Sequence, residues 1–244
     1  RLASIRDDRT GLPAALDDYT KAWEIMNQTY GRALVGMGGV YYLEAIKDPT
    51  NLLNGALDVE KLDQSEKIFQ QALALPDQPT SYNISAKAHF GLGQIYQLRS
   101  TNWGEAGLDV KAAQEYQQVL QKYEAGDKTL EEIASHAYAR MSYLSVTQGN
   151  YEAAEDFGKK AYEISSPHFQ AENSGFLGVI YFQDGINQLN SGDEVTARQK
   201  FADAKRYLQI ALDEAEADAD QELINTFRPR MDELITNYSQ YLDA

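Results

Sequence analysis

The chain has 244 residues, 22 Lys+Arg against 37 Asp+Glu for a formal charge of −15 at pH 7, and 43% apolar side chains. The apolar share is ordinary for a globular fold, whereas the sign of the charge works against a phosphate backbone or an anionic bilayer, both of which need clustered Lys and Arg. Cysteine is absent, which removes disulfides, thiolate metal ligands, thiol nucleophiles and iron–sulfur ligation together.

The longest uncharged, mostly apolar run is Ala33 to Leu43, 11 residues, where a spanning helix needs about 20, so this segment is not expected to insert in a membrane. The sequence opens Arg1-Leu2-Ala3, with neither Met nor the pattern of a signal peptide, and reads as a piece cut from a longer chain. The helix A that should partner the first helix is expected either upstream of Arg1 or, as a remnant, in Leu2 to Asp8. Cytoplasm and a place outside it, behind a lost signal or anchor, both stay open.

Two short patterns alternate along the chain. A lone helix at about 12–27 carries Ala15, Tyr19 and Ala22, a small–aromatic–small set at i, i+4 and i+7. A hairpin at about 29–75 holds Met37-Gly38-Gly39-Val40-Tyr41 on its first helix and Ser65, Phe69, Ala72 on its second. The next, about 83–124, repeats this with Leu92-Gly93-Gln94-Ile95-Tyr96 and then Ala112, Tyr116 and Val119. A third, about 132–165, has Met141-Ser142-Tyr143-Leu144, then Ala154 and Ala161 around Phe157-Gly158. A fourth, about 170–213, has Leu177-Gly178-Val179-Ile180-Tyr181, then Ala197, Phe201 and Ala204. A last helix at about 219–242 spaces Leu223, Phe227, Met231, Leu234, Tyr238 and Leu242 by three or four, as a capping helix would. Pro229 within it is expected to kink or break it near Arg228.

Residues at i, i+4 and i+7 share one helical face, so each second helix offers a bulky knob between two small positions, while the glycine of each first helix lets a neighbour come close. Neither helix can bury its stripe alone, and stacked hairpins solve that for both. On these residues the sequence resembles the tetratricopeptide repeat family, whose unit of about 34 residues carries Trp-x2-Leu-Gly-x2-Tyr on helix A and Ala-x3-Phe-x2-Ala on helix B. The copy from Tyr138 to Pro167, with its turn at Gln148-Gly149-Asn150-Tyr151, is the cleanest. The resemblance covers nearly the whole chain and implies an all-α fold, a right-handed superhelical stack of antiparallel hairpins forming a single domain over 1–244.

The spacing departs from the family's. Twelve residues separate Ser142 from Ala154, as the family has it, but nineteen separate Gly93 from Ala112 and Gly178 from Ala197, and twenty-seven separate Gly38 from Ser65. The surplus falls on Asp48 to Gly55 and Ser100 to Gly104, which are turn-rich, and on Phe182 to Asn190, which suits a longer helix A. Protruding loops between A and B helices are expected.

No reactive constellation emerges. His89, His136 and His168 lack any paired metal-ligand spacing, and Glu132 with His136 at i, i+4 supplies two ligands where zinc takes four. Asp7-Asp8 and Asp17-Asp18 have no third acid at a magnesium-binding spacing. Gly31, Gly36, Gly38 and Gly39 lack the Gly-Lys-Ser/Thr of a phosphate loop and read as helix packing. Six acids between Asp213 and Glu222 lack the order and central glycine of a calcium loop. No catalytic residue, metal or cofactor is expected.

What the resemblance implies instead is a groove lined by the A helices that takes a peptide or protein segment. Carried over by position, its lining is Arg32, Val35 and Tyr42 in the first hairpin, and Lys87, Phe90, Gln94 and Gln97 in the second. The third and fourth add His136, Tyr143 and Val146, then Glu172, Val179, Phe182 and Gln183. The Lys and Asn clamp with which some family members hold a terminal carboxylate is missing, since Val35 and Gly39 stand in its places. The expectation is a non-catalytic interaction scaffold for an uncharged or mildly basic protein segment, with no nucleic acid partner. A ligand-sensing regulatory domain of a larger bacterial protein is the second reading.

Overall fold

The computed structural model describes residues 10–27, 29–46, 57–76 and 83–242. Among the described residues run ten α-helices: α1 (Leu12–Ile25), α2 (Gly31–Ala45), α3 (Val59–Ala74), α4 (Ile84–Trp103), α5 (Leu108–Glu124), α6 (Glu131–Thr147), α7 (Tyr151–Glu163), α8 (Pro167–Ser191), α9 (Glu194–Ala217) and α10 (Gln221–Tyr238). Their only extended pairing is an isolated antiparallel bridge between Ile46 and Leu57. None of the described helices is long and apolar enough to cross a membrane. The chain gathers into two compact units, Arg1–Ile133 and Ala134–Ala244.

In the first unit, α1 packs on α2, and α2/α3 and α4/α5 form successive hairpins joined through α3 and α4. Aromatic knobs of the second helices fit glycines of the first. A Cβ added at Gly38 would stand 2.8 Å from the ring of Phe69, which also fills the space beside Gly91 on the following hairpin, and one at Gly93 would stand 2.6 Å from Tyr116. Tyr19 occupies the same kind of socket at Gly36. Around these rings Leu34, Leu62, Ala72, Leu92 and Ile95 close the core. On the outside of that joint, Arg99 on α4 reaches back to α3, pairing with Asp63 and with Glu66 at 2.7 Å.

The second unit keeps the scheme and changes the chemistry of one socket. Ser142 takes the glycine place on α6, and its hydroxyl donates to the Ala154 carbonyl of α7 at 2.5 Å; Ser135 does the same to Ala161 at 2.9 Å. In α8/α9, Phe201 fills the socket at Gly185, while Gly178 meets backbone directly, its absent Cβ lying 2.9 Å from the Leu208 nitrogen and 3.2 Å from the Ala204 oxygen. Gly178 and Gly185 lie two turns apart, as do Leu208 and Phe201, so one antiparallel register runs through the hairpin. Leu177, Tyr181, Ala197, Leu208 and Leu212 form its core, which α10 covers with Phe227, Met231 and Leu234.

Helix ends follow the sequence closely. Asp58, Asn150, Asp193 and Asp220 cap α3, α7, α9 and α10 by accepting from the backbone amide three residues on. Gly192 ends α8 at φ 88, a left-handed conformation that costs a glycine little.

Two expectations change. Ser100 to Trp103 stay helical and the turn waits until Gly104, so the surplus spacing there becomes helix in place of loop, while α8 takes in Phe182 to Asn190 over its 25 residues as the longer helix A expected there. The surplus at Asp48 to Gly55 lies outside the described residues, as do Leu2 to Asp8. Pro229 sits inside α10 without breaking it. The carbonyl of Asn225, which loses its amide partner there, belongs to an exposed residue that water can serve, and buried Phe227 and Met231 hold both sides of the proline to the core.

Two glycine substitutions with the same chemistry should move stability in opposite directions. Gly178→Ala forces a methyl against backbone and is expected to cost about 2 kcal/mol or more. Gly39→Ala meets no described atom within 4 Å, and is expected to add roughly 0.5–1 kcal/mol through helix propensity. Urea unfolding of both variants checks the contrast.

Candidate functional site

The A-helix stripes can now be placed residue by residue. On α2, Arg32 is exposed, while Val35 and Tyr42 are half-buried and pack against the core of the first unit. On α4, Lys87 is exposed and Gln94 half-buried. Phe90 leans on Tyr116 with ring centroids 5.6 Å apart, and Gln97 is buried, accepting from the Tyr116 hydroxyl at 2.8 Å. The α4 stripe therefore turns inward along its length: its lower half serves the α4/α5 interface. Gln97 is a structural acceptor, not a lining residue.

In the second unit, α6 and α8 run parallel with α7 between them. Asn173 of α8 donates to the Ser135 hydroxyl at 3.2 Å, and His136 stands edge-on to Phe169 with centroids 4.6 Å apart. Farther along the same two helices Tyr143 of α6 is 42% exposed and Phe176 of α8 48% exposed. Glu172 is half-buried and Gln183 exposed on the same helix, and Val146 on α6 is half-buried. Val179 packs against the core, and Phe182 lies inside it, 3% exposed, with the rings of Phe201 and Tyr238 at 6.1 and 5.5 Å. Phe182 is therefore no groove residue either; four residues after Gly178 and three before Gly185, it lies on the face of α8 that meets α9 and the chain's last turns.

Phe176 was readable and goes unread in the sequence analysis. It stands four residues after Glu172, three before Val179 and seven before Gln183, so one helical stripe contains all four. Arg140, exposed and three residues before Tyr143, is its counterpart on α6. The face of the second unit thus comprises Arg140 and Tyr143 on α6 and Glu172, Phe176 and Gln183 on α8: two exposed aromatics with a base, an acid and an amide around them. Among the described residues no three His, Cys, Asp or Glu side chains come together as a metal would require.

No protein-family model matches the chain, and no curated protein does. Solved structures that resemble it include the following two. A TPR repeats protein from Bacteroides fragilis is 16% identical with a TM-score of 0.37, the match covering 91% of this chain and 92% of that one. BtubC from P. vanneervenii is 13% identical with a TM-score of 0.48, over 92% and 88%. The class is set by the packing itself: an all-α protein built of antiparallel helix hairpins in which B-helix aromatics fill A-helix glycines, the tetratricopeptide type of construction.

Buried and surface members of the stripes separate by stability. Phe182→Ala is expected to cost about 3–5 kcal/mol, as for other core aromatics, whereas Gln183→Ala, on the exposed side of the same helix, should stay within about 0.5 kcal/mol of the parent. Denaturant titration followed by circular dichroism reads both.

Proposed function

We propose that this chain is a non-catalytic interaction module that binds a protein segment on the A-helix face of its second unit. The observation that carries the reading is the exposure of two large rings, Tyr143 and Phe176, 42% and 48% exposed on two helices that touch at Asn173–Ser135 and at His136–Phe169. Aromatic rings give contact area at small entropic cost and form the centres of binding surfaces; Gln183 and Arg140 beside them can bond a peptide backbone or an acceptor side chain. The −15 charge favours encounter with uncharged or basic segments and slows acidic ones. Arg32, Tyr42, Lys87, Phe90 and Gln94 make a second, more basic stripe on the first unit, which would read a different part of the same partner or a different one.

Selection of peptides from a random displayed library on the intact chain tests this. Enriched peptides are expected to lose at least tenfold in affinity for the Tyr143→Ala/Phe176→Ala double variant while helicity and melting temperature hold. Enriched peptides that bind the variant equally well would place recognition elsewhere, and no enrichment at all would remove the peptide-binding reading.

A further inference from the structure

The second unit buries two carboxylates against one ammonium. Glu155 of α7 and Asp184 of α8 have side chains 8% and 4% exposed, and Lys200 of α9 pairs with both, at 3.1 Å from Asp184. Gln188 donates to the other oxygen of Asp184 at 3.0 Å. Lys159 on α7 lies 3.9 Å from Glu155 but is itself 46% exposed. Both lysines stand over the ring of Tyr181, at 5.5 and 5.4 Å, and Asp203 of α9 faces that same tyrosine. Fully ionised, this interior holds one more carboxylate than the single buried cation can neutralise. Burial of surplus charge is costly, and two adjacent acids relieve it by retaining a proton.

We propose that Glu155 keeps its proton beside Asp184 and Lys200 and so forms a pH-dependent lock that ties α7 to α8 and α9. Lys200 contacts one oxygen of each carboxyl group, so the two buried acids flank a single ammonium, and a proton kept by the pair relieves their mutual repulsion. Burial, opposed by Lys200 and reinforced by Asp184, holds the Glu155 carboxyl above its ordinary range. For Lys200 burial opposes the charge, but hydrogen bonds to both acids outweigh it and hold the ammonium above its ordinary range, so it stays charged through neutral pH.

The sign follows from linkage. A carboxyl with a raised value in the fold binds more protons there than in the unfolded chain, so its contribution is complete below the unfolded value and is lost as pH rises through the folded one. Alkaline shifts therefore loosen the lock, and acid shifts tighten it. Asp184 anchors the helix whose outer side carries Gln183 and Phe176, so the protonation state bears on the position of the face described above, although the lock stands whether or not that face binds a peptide.

Titration of the Glu155 side-chain carbon in the full chain by NMR, assigned through its own backbone amide, reads that proton directly. The expected midpoint lies above about 4.3, the free glutamate value; one at or below it would overturn the proposal. Glu155→Gln keeps an acceptor for Lys200 and a donor for Asp184 without a proton to lose. Its melting temperature is expected to pull ahead of the parent's by about 2–4 °C between pH 5.5 and 8.5, whereas a gap that stays constant or reverses would refute the lock. Lys200→Met should lose more stability at pH 8.5 than at pH 5.5, and an equal loss at both would count against it.

Discussion

Everything in this fold depends on how closely an A helix can approach the aromatic knob of a B helix. Phe69 lies against Gly38 of its own hairpin and Gly91 of the next, so a single ring sets two helix–helix distances at once. A side chain at either glycine would push the neighbouring hairpin outward, because ring and backbone are both stiff and interiors packed to crystal density have no room to yield. Seen this way the glycines, each unfavourable by roughly 1 kcal/mol in a helix interior, are offset by the dispersion contacts of a ring seated on bare backbone. The serine of α6 shows the limit of the rule: a hydroxyl fits where a ring need not, provided it bonds the opposing carbonyl, as Ser142 does to Ala154.

This constraint explains what could be read from the sequence and what could not. The small–aromatic–small set and the glycine-centred set are local signals at helical spacing, and they mark the sockets at Gly38, Gly93 and Gly178. Which ring fills which socket is a matter of register between helices, and register depends on where the turn falls. Reading Ser100 to Gly104 as a loop shortens α4 by four residues, and even with Phe182 to Asn190 read as a longer helix A, spacing alone does not tell that Phe201 sits at Gly185 and not at Gly178. Face assignments fail for the same reason. Gln97 stands four residues after Gly93 and Phe182 four after Gly178, which puts both on the socket faces of their helices and not on the exposed stripe, a face fixed only once the sockets are placed.

The buried charges were illegible for a different reason. Glu155, Asp184 and Lys200 each stand next to a packing residue, Ala154, Gly185 and Phe201, and none belongs to a sequence motif. They meet because the antiparallel register of three helices places the flanks of their packing stripes at one height. A periodicity argument finds the stripe and treats its neighbours as solvated, which holds for most of the 37 acids and fails for these two.

The opposite faces of α8 show how burial and exposure divide one helix between them. Gly175, Gly178 and Gly185 look inward, and Phe176 and Gln183 look outward, each adjacent in sequence or nearly so to a socket. Phe227 of α10 fills the Gly175 socket and meets Phe176 edge-on, with centroids 5.6 Å apart and planes at 90°. The last helix therefore does more than close the core: it braces the exposed ring from below and removes part of the freedom that binding would otherwise have to quench. A ring held on one side by an edge-to-face contact and open on the other is preorganised for contact. The unbroken passage of α10 through Pro229 serves the same end, because Phe227 precedes the proline by two residues and Met231 follows it by two, and a break between them would release the brace.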